Sequence, residues 1–190
     1  MTGFFGELIT TPLEEAGAEP GTLIAASDPY AYMNGTNGPA AGNLSLRRMQ
    51  CLGGLSTSFN MFVATAGAVL GGVFGILVDV NGNLLASTVD RTADAALVAA
   101  NALWTAPWQV PAQLPPGDLY FGLLITAATT MPNFATGRQG SSAAVNLGTT
   151  VAARNLRAAL AGGGLGALPA FPLNPSVYGM VSFNPWVALT

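Results

Sequence analysis

The chain has 190 residues, a net charge of -3 and 8% charged side chains against about 25% in an ordinary soluble domain, while 51% of its residues are hydrophobic. It contains no His and no Lys, a single cysteine (Cys51), and a basic set made only of six Arg. These counts exclude Ser-His-Asp, Cys-His and Ser-Lys sites, a lysine phosphate loop, an internal disulfide and a thiolate metal cluster, and they argue against a nucleic-acid partner.

Residues 1–40 hold five of the nine acids and no cation, then the turn-rich run Met33-Asn-Gly-Thr-Asn-Gly-Pro39. This composition reads as an N-terminal arm leading into a domain at 41–190, with a short helix near 13–18 as an option. The apolar start, Phe4, Phe5, Leu8 and Ile9, gives the arm something to bury against a partner. The opening Met-Thr-Gly-Phe-Phe-Gly-Glu-Leu lacks the basic region of a secretory signal.

From about residue 41 the punctuation is that of an all-β domain. Strands are expected at 43–49, 58–65, 73–80, 84–89, 102–110, 119–126, 144–147 and 177–183, separated by Gly, Pro, Asn and Asp. Phe59, Met61 and Val63 alternate with Asn60, Phe62 and Ala64, as in a strand with one buried face. Residues 61–78 form an uncharged, largely apolar run long enough to raise the question of a membrane span. Its four glycines and its continuation into a hairpin argue against one.

That hairpin centres on Asn81-Gly82, a dipeptide that adopts positive φ readily, and predicts a type I′ turn between 73–80 and 84–89. Asp79, Asn81, Asn83 and Asp90 imitate a calcium loop, but Leu84 stands where such a loop needs Gly, so the turn is preferred. Alanine-rich 92–101 and 150–160 read as short helical turns. Gly162, Gly164 and Ala167 match a loose phosphate-loop spacing without a clear preceding strand, and Pro169 opposes a following helix, so a flexible loop is expected. About eight short strands with turns between them predict an antiparallel β-sandwich preceded by an extended arm.

Few residues suggest chemistry. Asp79 and Asp118 lie where turns use Asp for backbone hydrogen bonds, and Asp90, Arg91 and Asp94 suit ion pairs, although a glycosidase needs only two carboxylates in one cleft. Trp104 and Trp108, four apart, face one side of an extended strand; with Tyr120 they are the candidates for stacking on a glycan, the alternative being core or subunit contact. Asn34 and Asn43 open glycosylation-type triplets that nothing else supports. Cys51 reads as a buried small hydrophobe.

The run from Phe62 to Asp90, with Thr65-Ala-Gly-Ala68 and Leu77-Val-Asp-Val-Asn-Gly-Asn-Leu-Leu-Ala86, is followed by Trp108-Gln-Val-Pro, Pro116-Gly-Asp-Leu-Tyr-Phe-Gly-Leu-Leu124 and Thr130-Met-Pro132. In this order it resembles the small β-sandwich modules of virion proteins of tailed bacteriophages, especially those infecting actinobacteria. The resemblance spans residues 43 to about 147, and Val78 stands where the group usually has Tyr.

It implies a jelly-roll-like domain on the particle surface, often trimeric, in a group whose modules decorate both capsids and tail fibres; the short chain, with an acidic arm and no long shaft or collagen-like repeat, favours a non-enzymatic capsid decoration or minor capsid protein that works without cofactors or metals. Its expected partners are copies of itself and the major capsid protein or other virion proteins, with the arm as anchor. Removing residues 1–30 is then expected to leave a folded domain that no longer attaches. Two other classes are a tail-fibre or tail-tip module binding a receptor or host-surface glycan, and a depolymerase using Asp90 and Asp94. Neither nucleic acid nor membrane is expected as a partner.

Overall fold

The computed structural model describes residues 25–26, 35–136, 152, 156 and 158–190. Phe4, Phe5, Leu8 and Ile9, the option of a helix near 13–18 and the strand expected at 144–147 lie outside the described residues.

Among the described residues twelve strands follow in chain order: β1 (Ala25–Ala26), β2 (Gly35–Asn37), β3 (Leu44–Cys51), β4 (Gly54–Thr65), β5 (Val73–Asp79), β6 (Leu84–Ser87), β7 (Ala102–Leu114), β8 (Gly117–Ile125), β9 (Asn133–Thr136), β10 (Ala158–Gly162), β11 (Gly179–Met180) and β12 (Ala188–Leu189). Their pairings are all antiparallel, and the order β10-β3-β8-β5-β6 makes a first layer, with β11 beside β10. The second layer runs β2-β9-β4-β7. Two-residue strands join the layers, because β12 pairs with β4 and β1, and β1 pairs with β3. The protein is all-β and sandwich-like, as its turn punctuation predicts.

The main core lies between the layers. Phe59 of β4 is at its centre, edge-on to Trp104 of β7 at 4.9 Å and to Phe121 of β8 at 4.8 Å between ring centroids. Such ring pairs add about 0.5–1.5 kcal/mol beyond the area they bury. Gly75 of β5 is a glycine because a Cβ there would run into the Phe59 ring. The expected alternation holds, since Phe59, Met61 and Val63 are fully buried while Asn60, Phe62 and Ala64 are half-buried.

A second core covers the outer face of the first layer. Leu44, Leu46, Ile76, Val78, Tyr120 and Leu124 point away from the main core and meet Leu156, Ala159, Leu173 and Tyr178 from the C-terminal part of the chain. β8 is therefore buried on both faces from Leu119 to Ile125. Gly122 keeps its surroundings close-packed, since a Cβ would come within 2.6 Å of Ile76 and 2.8 Å of Leu46. The same C-terminal segment reaches the tip of the β5–β6 hairpin, where the Leu173 N–H donates to the Gly82 carbonyl at 2.9 Å.

Several expectations are corrected. The hairpin forms, but its turn is not type I′. Only Gly82 has positive φ (86°), and its N–H donates to the Asp79 carbonyl at 3.0 Å, the pattern of a type I turn followed by a left-handed glycine. The cause is Asp79, whose carboxylate accepts from the Asn81 and Asn83 N–H groups at 2.8 and 2.9 Å and from the Asn83 amide at 2.7 Å. Residues 92–101 contain a single 3₁₀ turn at Ala95–Val98, as a short helical turn predicts. Of 150–160, the described end is strand rather than helix. Ala158–Gly162 pairs with β3, and ladder hydrogen bonds with burial of Ala158 and Ala159 override alanine's helix preference.

The strand expected at 177–183 is reduced to β11 after a 3₁₀ turn at Pro175–Val177. Short β9 and β12 gave no sequence signal. The apolar run 61–78 is the end of β4, a loop and β5, and among the described residues no helix is long and apolar enough to cross a membrane. β1 and β2 precede residue 41 yet are hydrogen-bonded into the sheet, so the sheet draws on chain whose composition suggested an arm.

Candidate functional site

Each described carboxylate serves the chain's own donors. Asp79 caps the hairpin turn. Its slight burial works against the charge, but the hydrogen bonds from Asn83 and Asn81 outweigh it and hold its carboxyl below the usual range. Asp90, at the end of the same hairpin, accepts from the Val73 N–H at 3.0 Å, the Thr92 N–H at 2.9 Å and the Thr92 hydroxyl at 2.6 Å. There too the hydrogen bonds, led by the Thr92 hydroxyl, outweigh burial and lower the pKa.

Asp94 accepts from Trp104 Nε1 at 2.9 Å and forms the expected ion pair with Arg91 at 3.4 Å. Asp118 differs from the turn role expected of it: it lies in β8 opposite Gln50 and pairs with Arg48 of β3. Among the described residues no three His, Cys, Asp or Glu gather to hold a metal ion.

The glycan-stacking candidates are corrected in one respect. Trp104 and Trp108 do share a side of β7, but that side is the interior: they are 1% and 5% exposed, and Tyr120 is fully buried. Trp108 Nε1 donates to Ser56 Oγ at 2.8 Å, and the Tyr120 hydroxyl donates to the Leu156 carbonyl at 3.0 Å. A ring packed against Phe59 with its polar atom already satisfied has no face left for a sugar. Tyr120 also packs edge-on against Tyr178 at 5.8 Å, whose phenol is pushed up to about 12, first by burial and then by Tyr120 and Asp79.

The other weak motifs resolve as structure. Cys51 is 2% exposed, and burial pushes its thiol up. A strand, β10, does precede the glycine run 162–167, but no helix opens after it, and the Leu165 N–H is used on the Gly42 carbonyl at 2.8 Å. A phosphate loop would keep that donor free for a ligand.

What sequence reasoning missed is the other side of the tryptophan strand. Leu103, Thr105 and Pro107 alternate with the buried Trp104, Ala106 and Trp108 and stand exposed on the outer face of the second layer, Leu103 at 61%. Across the register Leu103 meets Phe62, Thr105 meets Asn60 and Pro107 meets Ser58.

Four polar side chains of this face are linked to one another. Thr105 Oγ1 donates to Asn60 Oδ1 at 2.6 Å, Asn60 Nδ2 donates to Thr190 Oγ1 at 3.3 Å, and Thr190 Oγ1 lies 2.7 Å from Ser58 Oγ. No strand of the second layer, nor β12, carries a charged residue. The signal in the sequence was the alternation itself, read only for its inward half. Compared with known proteins, the chain matches no family model, no curated protein and no solved structure.

Proposed function

We propose that the chain is a non-enzymatic structural protein of a bacteriophage particle, displayed on its surface as a capsid decoration or minor capsid protein. The observation that carries this reading is the fold of the stretches that resemble phage virion modules. Residues 62–90 supply the end of β4, all of β5 and all of β6, and 116–124 supply β8 up to Leu124, which pairs with β5, so they form parts of one close-packed sandwich. The use of every described carboxylate on internal donors fits a protein whose task is to persist and to pack.

Attachment is assigned to the segment before β1, with Phe4, Phe5, Leu8 and Ile9 as its apolar contacts. A segment that binds a lattice is held there by mass action. Because Ala25–Ala26 pairs with both β12 and β3, the informative truncation stops before Ala25. Removal of residues 1–24 is expected to leave a cooperatively folding domain that no longer binds particles, whereas the full chain does. Purified particles of the encoding phage should contain the chain by mass spectrometry and show matching surface density. Its absence from such particles, or full attachment by the truncated protein, overturns the reading.

A further inference from the structure

We propose that Asn37 is a site of spontaneous covalent modification, at which the Gly38 nitrogen closes on the Asn37 side chain and converts it to aspartate or isoaspartate, while the equivalent pair Asn81-Gly82 is spared by the fold. An Asn followed by Gly is open to this chemistry because glycine has no Cβ to crowd the ring that forms. The described residues hold two complete pairs of this kind, Asn37-Gly38 and Asn81-Gly82; Asn34, ahead of Gly35, lies outside them. Their local hydrogen bonds differ, and the difference decides which can react.

At the end of β2 the Gly38 N–H donates to Oδ1 of Asn37 itself at 2.9 Å. The nitrogen that must attack is therefore already beside the side-chain carbonyl, and the contact draws electron density from Cγ. Supplying that orientation in advance removes a large part of the barrier to ring closure. Both residues are half-buried rather than sealed, so base and water reach them. Once base takes the N–H proton, the nitrogen bonds to Cγ, the Cγ–Nδ2 bond breaks and ammonia leaves with a proton, giving a succinimide. Water then opens the ring, at Cγ to aspartate or at the main-chain carbonyl to isoaspartate. Isoaspartate puts a methylene into the main chain of β2 beside the Asn37–Phe134 pairing with β9, and either product adds a charge to a strand that has none.

At the hairpin tip the same atoms are held apart. The Gly82 N–H donates to the Asp79 carbonyl at 3.0 Å, and the Asn81 N–H donates to the Asp79 carboxylate at 2.8 Å. Gly82 is buried against Leu173, whose N–H donates to its carbonyl at 2.9 Å. Turning the Gly82 nitrogen onto Asn81 breaks these bonds, and the Asp79 charge disfavours the nitrogen anion that the reaction requires. Asn81 is the more exposed of the two asparagines, so accessibility alone predicts the opposite order.

The test is read on the full chain in solution and stands apart from the particle reading. The protein is held at mildly alkaline pH, folded in buffer and unfolded in urea, and conversion of each asparagine is followed by fragment-ion mass spectrometry. In urea both are expected to convert at comparable rates. In the folded chain Asn37 is expected to convert at least about 10-fold faster than Asn81, because only there is the nitrogen already oriented. Asp79→Ala, shown by circular dichroism to be folded, is expected to raise the Asn81 rate severalfold and to leave the Asn37 rate unchanged.

Should Asp79→Ala not fold, Asp79→Asn removes the charge and keeps the shape. A folded chain that converts Asn81 as fast as Asn37, or faster, overturns the proposal. So does an Asn37 that stays intact in the folded chain while the unfolded chain converts. An Asn81 rate that the Asp79 substitution leaves unmoved overturns the assignment of its protection to that carboxylate.

Discussion

The first layer is covered on both faces and the second on one, and the strands of each show it. In β8 every residue from Leu119 to Ile125 is buried, so its sequence is a continuous apolar run with Gly122 where the packing is tightest. In β7 the inward Trp104, Ala106 and Trp108 alternate with outward Leu103, Thr105 and Pro107. A continuous run therefore marks a strand with two neighbours above and below, and an alternating one marks a strand with one.

The contrast can be tested by substitutions graded from the centre outward. Trp104→Ala removes the ring that meets Phe59 and Phe134 and strands the Asp94 contact, and is expected to cost about 3–5 kcal/mol by denaturant titration. Gly82→Ala acts on the cover of the first layer. At φ 86° a Cβ would meet the Leu173 carbonyl, so a loss of about 2–3 kcal/mol is expected, with Leu173 lifted from the hairpin tip.

Tyr120→Phe keeps the ring and leaves the Leu156 carbonyl without its hydroxyl donor, which should cost about 1 kcal/mol. A smaller effect is expected from acid. Asp79 and Asp90 have lowered folded pKa values, so the unfolded chain binds more protons in the acid range. Their stabilisation is present above the unfolded value of about 3.9 and is lost as pH falls through the folded values. Asp79→Asn should flatten that acid limb in a series of melts. Leu103→Ala, next to the most damaging position, is expected to stay within about 0.5 kcal/mol. A large effect there would remove the distinction between the two faces of β7.

The legible parts were those governed by local chemistry. Asn81-Gly82 between apolar runs announced the hairpin, and the alternation around Phe59 announced which residues of β4 turn inward. The turn type was not legible, because it depends on how the Asp79 carboxylate closes on Asn81 and Asn83, a side-chain choice that the dipeptide alone does not state.

The stretch 150–160 reads as a short helical turn, but pairing of its end, Ala158, Ala159 and Leu160, with Arg47, Leu46 and Ser45 of β3 makes that end a strand. Strands as short as β12 have no periodicity to read; they exist because β4 and β1 stand on either side. The candidate site divided in the same way. That Trp104 and Trp108 share a side follows from strand geometry, but that the side is internal depends on Phe121 and Phe134 arriving from distant parts of the chain.

The double cover of β8 has a consequence for how the molecule breathes. Between β3 and β5, with Phe121 and Leu123 facing one core and Tyr120 and Leu124 the other, β8 meets water only when both cores come apart. Its amide protons should be the last in the chain to trade places with deuterium, at the rate of global opening, and the β7 edge should exchange well before them.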